Sequence, residues 1–255
     1  MLVQILSGAV LAAAVATFAY RARALSLSGA IAAFVVGSIT FGAGGWPATF
    51  VLLAFFIPST AFSAIGRKEK RTLASAGKHG ARDAFQVAAN GGVAALALLL
   101  SPRFGAVALA AFAGAFAAAS ADTWGTEIGT LARAKPRSIL TFRPVERGLS
   151  GGVTLQGSLA EIAGAACVAL VAASTHIAPA LPVFLGGAAG ALVDSILGAG
   201  AQALRFCPAC DRACETNPHA CGTPTSLRRG VAWIENDAVN FAATACGAAL
   251  AAVFF

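Results

Sequence analysis

Eight apolar segments divide this chain, and the charges left between them fall almost entirely into alternate gaps. The segments run roughly Leu2–Tyr20, Ser28–Gly44, Trp46–Ile65, Ala84–Leu100, Phe104–Ala121, Ser158–Ser174, Ala180–Ala201 and Asp237–Phe255. Gaps one, three, five and seven hold every Lys and Arg except Arg103. Gaps two, four and six are Gly44–Gly45, Ser101–Arg103 and Thr175–Pro179, and they are almost free of charge. Alternate loops of a spanning bundle emerge on the same face, so the positive-inside rule puts the odd gaps in the cytosol and both termini outside. The expected fold is an all-α, polytopic transmembrane helical bundle of about eight spanning helices. The count falls to seven if Ser28–Gly44, short and interrupted by Gly37 and Ser38, only half crosses. One domain is expected over 1–255, with a cytosolic Cys/His-rich loop at 205–235 between the seventh and eighth helices.

Composition excludes a soluble domain. The chain is 58% hydrophobic and 11% charged, with a mean hydropathy of +0.77, whereas soluble domains carry about a quarter charged residues. No basic residue precedes the apolar run at Met1–Gln4, so a secretory signal is not expected and the chain is placed in the plasma (inner) membrane. The net charge of +7 is read as orientation in the bilayer and contact with anionic lipid headgroups, not as nucleic-acid binding. Its densest stretch is the third gap, from Arg67, Lys68, Lys70 and Arg71 through Lys78 to Arg82, which also suits a polyanionic substrate. The helices are rich in Ala and Gly, the small residues that let helix backbones approach closely in lipid.

Polar residues inside spanning segments are costly and point to function. Here they form helical stripes. Arg82, Gln86 and Asn90 are spaced i, i+4, i+8 on the fourth segment, and Thr154, Ser158 and Glu161 share a face at the start of the sixth. Asp194, Gly198 and Gln202 close the seventh, Asn236, Asp237 and Asn240 open the eighth, and Asp122, Thr126 and Glu127 close the fifth. All lie toward the odd-gap face; Asp194, the deepest, is about 21 Å from the far end of its helix at 1.5 Å per residue. Asp122, Glu127, Asp194 and Asp237 would repel one another if they converged, and a divalent cation would relieve that. Hard carboxylate oxygens with room for water and phosphate suit Mg²⁺. The loop from Arg147 through Gly148, Gly151 and Gly152 to Thr154 leads into the sixth helix, and glycines ahead of a helix N-terminus can offer N–H groups to an anion.

The seventh gap holds Cys207, Cys210, Cys214, His219 and Cys221. A C-x2-C pair followed by His and Cys is metal-ligand spacing, with Zn²⁺ the favoured occupant. Cys207, Cys210, His219 and Cys221 are the expected ligands, with Cys214 as substitute for one of them, and a loop of unmetallated thiols is the alternative. Cys167 and Cys246, within apolar helices, read as small core residues.

Four signatures together resemble one family: Arg82-Asp83-x-x-Gln86-Val87-x-x-Asn90-Gly91-Gly92, Ala121-Asp122-Thr123-Trp124-Gly125-Thr126-Glu127-Ile128-Gly129, Gly148-x-x-Gly151-Gly152-Val153-Thr154-x-x-Gly157, and Asn236-Asp237-x-Val239-Asn240. It is the integral-membrane family of the plant phytyl-phosphate kinase, long catalogued as a domain of unknown function. The resemblance runs in order over essentially the whole chain. It implies an enzyme that phosphorylates an isoprenoid monophosphate to the diphosphate with a nucleoside triphosphate and Mg²⁺, and a zinc loop that is structural. On that reading Asp122, Glu127, Asp194 and Asp237 hold Mg²⁺. Lys68, Arg71, Arg82, Gln86, Asn90, Gly151, Gly152, Thr154, Asn236 and Asn240 would bind the phosphates and substrate. Two other readings stand beside it: a cytidylyl or phosphoryl transferase acting on another lipid phosphate, and a small lipid or ion transporter. Chain length of the lipid, choice of nucleotide and oligomeric state leave no mark in the sequence.

Overall fold

A computed structural model describes residues 2–66, 69–70 and 80–255 of the chain. Eight helices dominate the described residues: α1 Leu2–Arg21, α2 Leu27–Ala64, α3 Ala84–Leu99, the single turn α4 Ser101–Phe104, α5 Ala106–Gly129, α6 Leu155–Ser174, α7 Ala180–Gly200 and α8 Asn236–Val253. Of these, α1, α2, α5, α6 and α7 are long and apolar enough to cross a membrane. Large apolar side chains such as Val10, Phe18, Ile57, Leu96, Leu159, Leu181 and Val253 stand exposed around the bundle. In water such a surface would drive association; in a bilayer it is the face presented to lipid. The protein is an all-α, polytopic integral membrane protein.

The second and third apolar segments are fused into α2, yet they act as two arms. An unbroken 38-residue helix would be about 57 Å long at 1.5 Å per residue, close to twice the hydrocarbon core. Inside α2, Gly45 leaves helical geometry with φ 61° and ψ −155°, a left-handed conformation that glycine adopts without a Cβ penalty. Both ends of α2 then return to the same residue. The Ser26 amide donates to the Arg82 carbonyl at 3.0 Å, and the Arg82 guanidinium donates to Ser63 at 3.0 Å. A straight rod cannot meet one residue at both ends, so the chain doubles back at Gly45. That accounts for the uncharged second gap.

Small residues build the centre. α5 is buried from Ala108 to Ala121 apart from Leu109 and Ala111, with Phe112 and Phe116 in edge contact and Phe116 stacked on Phe55 of α2. Where α5, α7 and α8 meet, Gly114 and Gly186 both face the Gly247 carbonyl so closely that a Cβ on either would collide with it. The hydroxyl of Thr244 in α8 donates to the Ala89 carbonyl of α3 at 2.9 Å, a buried bond that fixes the rotation of the two helices.

The fifth and seventh gaps are more ordered than a bundle of helices requires. In the fifth, β1 Arg137–Ser138 pairs antiparallel with β2 Gly152–Val153. In the seventh, β3 Leu204–Cys207, β4 Arg212–Cys214 and β5 Ser226–Arg229 form a three-stranded sheet in the order β4-β3-β5. The expected apolar end at Ala121 is also overrun: α5 continues to Gly129 and so carries Asp122, Thr126 and Glu127 on its last two turns.

Candidate functional site

A cavity of about 950 Å³ opens where the odd gaps converge. Its wall draws on gap one (Arg21, Arg23), gap three (Lys70, Arg82), gap five (Arg147 to Thr154) and gap seven (Glu215). None of the residues of gaps two, four and six is among those lining it. The five separate stripes therefore each contribute to one place, at one end of the bundle.

Asp122 of α5 and Asp194 of α7 both line it and lie near enough to act on each other electrostatically, and Thr126, one turn on from Asp122, lines it as well. The Asn240 amide, oriented to satisfy its neighbours, donates to Asp194 Oδ2 at 3.2 Å and to the Asn236 carbonyl at 3.1 Å. Glu161 of α6 lines the same cavity. It leans into the space above Gly125, where a Cβ would overlap its side chain. Glu161 belongs to a stripe visible in the sequence but was not among the expected metal ligands. Asp237 was, and it stands outside the cavity wall, whereas Asn236 and Asn240 on either side of it contribute.

Glu127 is placed differently from Asp122. Its Oε1 accepts from the Ser63 hydroxyl at 2.5 Å and its Oε2 from the Lys70 ammonium at 2.5 Å. Lys70 is only 8% exposed and also donates to the Phe62 carbonyl at 2.9 Å. Arg82 completes the chain by donating to Ser63. Burial lowers the Arg82 pKa from its ordinary value, and the negative charges of Glu127 and Asp122 oppose that shift. A cation for one carboxylate was thus hidden in the third gap. Lys68 and Arg71, from the same gap, lie outside the described residues. Gln86 and Asn90 line the cavity below Arg82.

The glycine loop is braced from within. Gly151, at φ 74°, lies against α7 so closely that a Cβ would strike Ala199. The Ser150 amide donates to Glu215 Oε1 at 2.7 Å, its hydroxyl to Oε2 at 2.8 Å, and the Gly152 amide to the Leu149 carbonyl at 3.2 Å. One backbone donor expected to meet phosphate, the Gly152 amide, is therefore engaged by the protein itself, as is the neighbouring Ser150 amide. Thr154 caps α6, its Oγ1 accepting from the Gly157 amide at 3.1 Å. Burial pushes the Glu215 carboxyl up from its usual range, against the pull of Ser150, Arg229 and Gln202.

The ligand atoms of Cys207, Cys210, His219 and Cys221 lie within 4.8 Å of one another, a group that could hold a metal ion. Cys207 and Cys221 are 3.5 Å apart at sulfur, and His219 Nδ1 is 3.2 Å from Cys221 Sγ. Hydrogen bonding to Thr223 and His219 pulls the Cys221 thiol down to about 5, in the direction of the thiolate that metals bind. Cys214 points elsewhere, toward the Thr216 carbonyl at 3.8 Å, and is not part of the group.

A second, apolar groove of about 160 Å³ runs between α1, α2 and α3, past Ala12, Ala33, Val36 and Phe41. Leu25, Phe56, Arg82, Gln86 and Asn90 line both spaces. A charged chamber and a greasy slot therefore share one wall.

The profile of a family described as Integral membrane protein DUF92 matches residues 10–248. Among curated proteins, the chain is similar to Protein PGR of Arabidopsis thaliana, 35% identical over 143 residues, 50% of this chain and 48% of the relative. It is also similar to an uncharacterized membrane protein of Methanocaldococcus jannaschii, 40% identical over 94 residues, 36% of this chain and 40% of that one. The chain spans half or less of the length of these relatives. No solved structure matches it.

Proposed function

We propose, for a chain that belongs to the integral membrane protein family DUF92, that it phosphorylates an isoprenoid monophosphate to the diphosphate at the expense of a nucleoside triphosphate. The observation that carries this reading is the wall shared by the acidic chamber and the apolar groove. A substrate seated across it would need an anionic head and a hydrocarbon tail. The resemblance to the phytyl-phosphate kinase family points to the same substrate class. By the charge of the odd gaps, the chamber faces the cytosol and both termini face outward.

In the reaction, an oxygen of the lipid phosphate attacks the terminal phosphorus of the nucleotide. The bond from that phosphorus to its bridging oxygen breaks, and a nucleoside diphosphate leaves. The acceptor is largely ionised near neutral pH, so no general base is assigned. Phosphoryl transfer asks for positioning and charge neutralisation, and this chain's cations supply part of both. Arg82, steadied by Ser63, stands where head and tail would join, with Gln86 and Asn90 beside it. Lys70, Arg21 and Arg23 add positive charge around the chamber. Asp122 and Asp194, close together on the chamber wall with Glu161, are the carboxylates best placed to hold Mg²⁺, which would neutralise the donor phosphates. Glu127, engaged by Ser63 and Lys70, serves better to position Lys70 than to bind metal. Asp237, off the wall, is assigned no ligand role.

Purified protein incubated with terminally labelled nucleotide and a panel of prenyl monophosphates should transfer label to a lipid diphosphate. A nucleotide-linked lipid would instead identify a nucleotidyl transferase, and no lipid product at all would leave a transporter as the better reading. Ala33→Phe, which narrows the groove, should cut kcat/KM for long-chain acceptors about tenfold while sparing a short-chain monophosphate.

A further inference from the structure

We propose that Cys207, Cys210, His219 and Cys221 bind one zinc ion whose work is to hold Glu215 against the glycine loop at Ser150. Two geometries, neither of which depends on the reaction, meet in the same short stretch of chain.

The first is the ligand set. Two thiolates on a tetrahedral zinc lie roughly 3.8 Å apart, given Zn–S bonds of about 2.3 Å. The 3.5 Å between Cys207 and Cys221 and the 4.8 Å limit on the whole group are close to that arrangement. The backbone supports it from both sides. β3 and β4 pair as far as Cys207 opposite Arg212, and the knuckle between them turns through Asp211 at φ 50°, which brings Cys210 back over Cys207. On the other side the Gly222 amide donates to the His219 carbonyl at 2.8 Å, a tight turn that sets His219 and Cys221 side by side. Three thiols and an imidazole, two of them buried, suit zinc far better than a hard cation.

The second geometry is the anchorage of the segment that the metal would close. Residues 211–218 run from one ligand pair to the other, and Glu215 lies in their middle. Its carboxylate accepts from the Ser150 amide and hydroxyl at 2.7 and 2.8 Å and from the Gln202 amide at 2.8 Å. Gln202 also donates to the Ser150 hydroxyl at 2.9 Å. Glu215 thus occupies loop donors of the kind an anion would seek. With both flanks tied to one ion, the segment loses the freedom that would otherwise let Glu215 leave. Without the ion, its flank toward His219 hangs only on the loop's own contacts. Glu215 is therefore a positioning residue, acting on the cavity through Ser150.

The test uses the full-length protein in detergent. Elemental analysis should find one zinc per chain, and cobalt exchanged into the site should give thiolate charge-transfer absorption that Cys221→Ser abolishes. Amide hydrogen exchange over residues 148–154 then reads the coupling directly, because the Ser150 amide is one of the bonds to Glu215. Removing zinc with a chelator, or making Glu215→Ala, should speed exchange there about tenfold or more, as loss of hydrogen bonds to a charged group implies. Glu215→Asp should restore part of the protection, and helices α5 to α8 should exchange as before. Protein that carries no zinc would overturn the proposal. So would zinc whose removal leaves exchange at 148–154 unchanged while Glu215→Ala raises it.

Discussion

The acidic chamber and the Cys/His cluster sit at the same end of the molecule, but the chamber gathers side chains from helices far apart in the chain while the cluster draws its four from residues 207–221, and they suit opposite purposes. Asp122 and Asp194 project from α5 and α7 into about 950 Å³ of open space, with hard oxygens and room for water and a phosphate chain. The Cys/His group is drawn together by a hairpin and a turn, and its four ligands would close a zinc shell with no vacancy. An open oxygen site of this kind would exchange a bound ion readily, whereas a closed thiolate site would keep its ion and stiffen the chain around it. The bonds between Glu215 and Ser150 are the link by which, on the proposal above, one would act on the other.

The sharpest way to break this contrast is Asp122→Asn or Asp194→Asn. Each should lower lipid diphosphate formation by about 10²–10³-fold, with zinc content and thermal stability unchanged; activity near wild type in both would remove the chamber from the chemistry. Cys221→Ser should do the reverse. Zinc content should fall to zero and Tm by roughly 5 °C or more, with transfer reduced but measurable; a loss of activity as deep as that of Asp122→Asn would mean the two sites are not separate in role. Lys70→Met tests the division within the acidic group. It leaves Glu127 partly buried without its cation, at a cost of about 1–3 kcal/mol, less than for a fully buried pair. The double variant with Glu127→Gln should recover most of that by denaturant unfolding, and a Glu127 that instead held metal would give no such recovery. The smallest effect belongs to Thr154→Ala. Removing the cap of α6 should cost about 1 kcal/mol and leave both zinc and kcat nearly intact.

Much of this arrangement can be read from the residues alone, because hydropathy and loop charge are local properties. The eight apolar stretches all reappear as helix, two of them joined in α2, and the charged gaps all reach one cavity. The stripe containing Arg82, Gln86 and Asn90 points where its spacing says it should. What sequence could not give is phase and partnership. Asn236, Asp237 and Asn240 were placed on one face, but only the i, i+4 pair of asparagines reaches the wall, since a helix turns Asp237 about 100° away from Asn236. Glu127 looked like Asp122 because its partner Lys70 is 57 positions away along the chain. Glu215 was masked by its surroundings: between cysteines, one acidic residue carries no periodic signal, and its bond to Ser150 spans 65 positions.

The reversal at Gly45 has a bearing on how the protein enters its membrane. Gly44 and Gly45 carry no ionisable group, so the tip joining the arms of α2 can be drawn through the hydrocarbon without the roughly 2.5–3.5 kcal/mol that each charged side chain would add. The arms are therefore suited to partition together as a pre-paired hairpin, leaving their two ends on the face where Arg82 joins them.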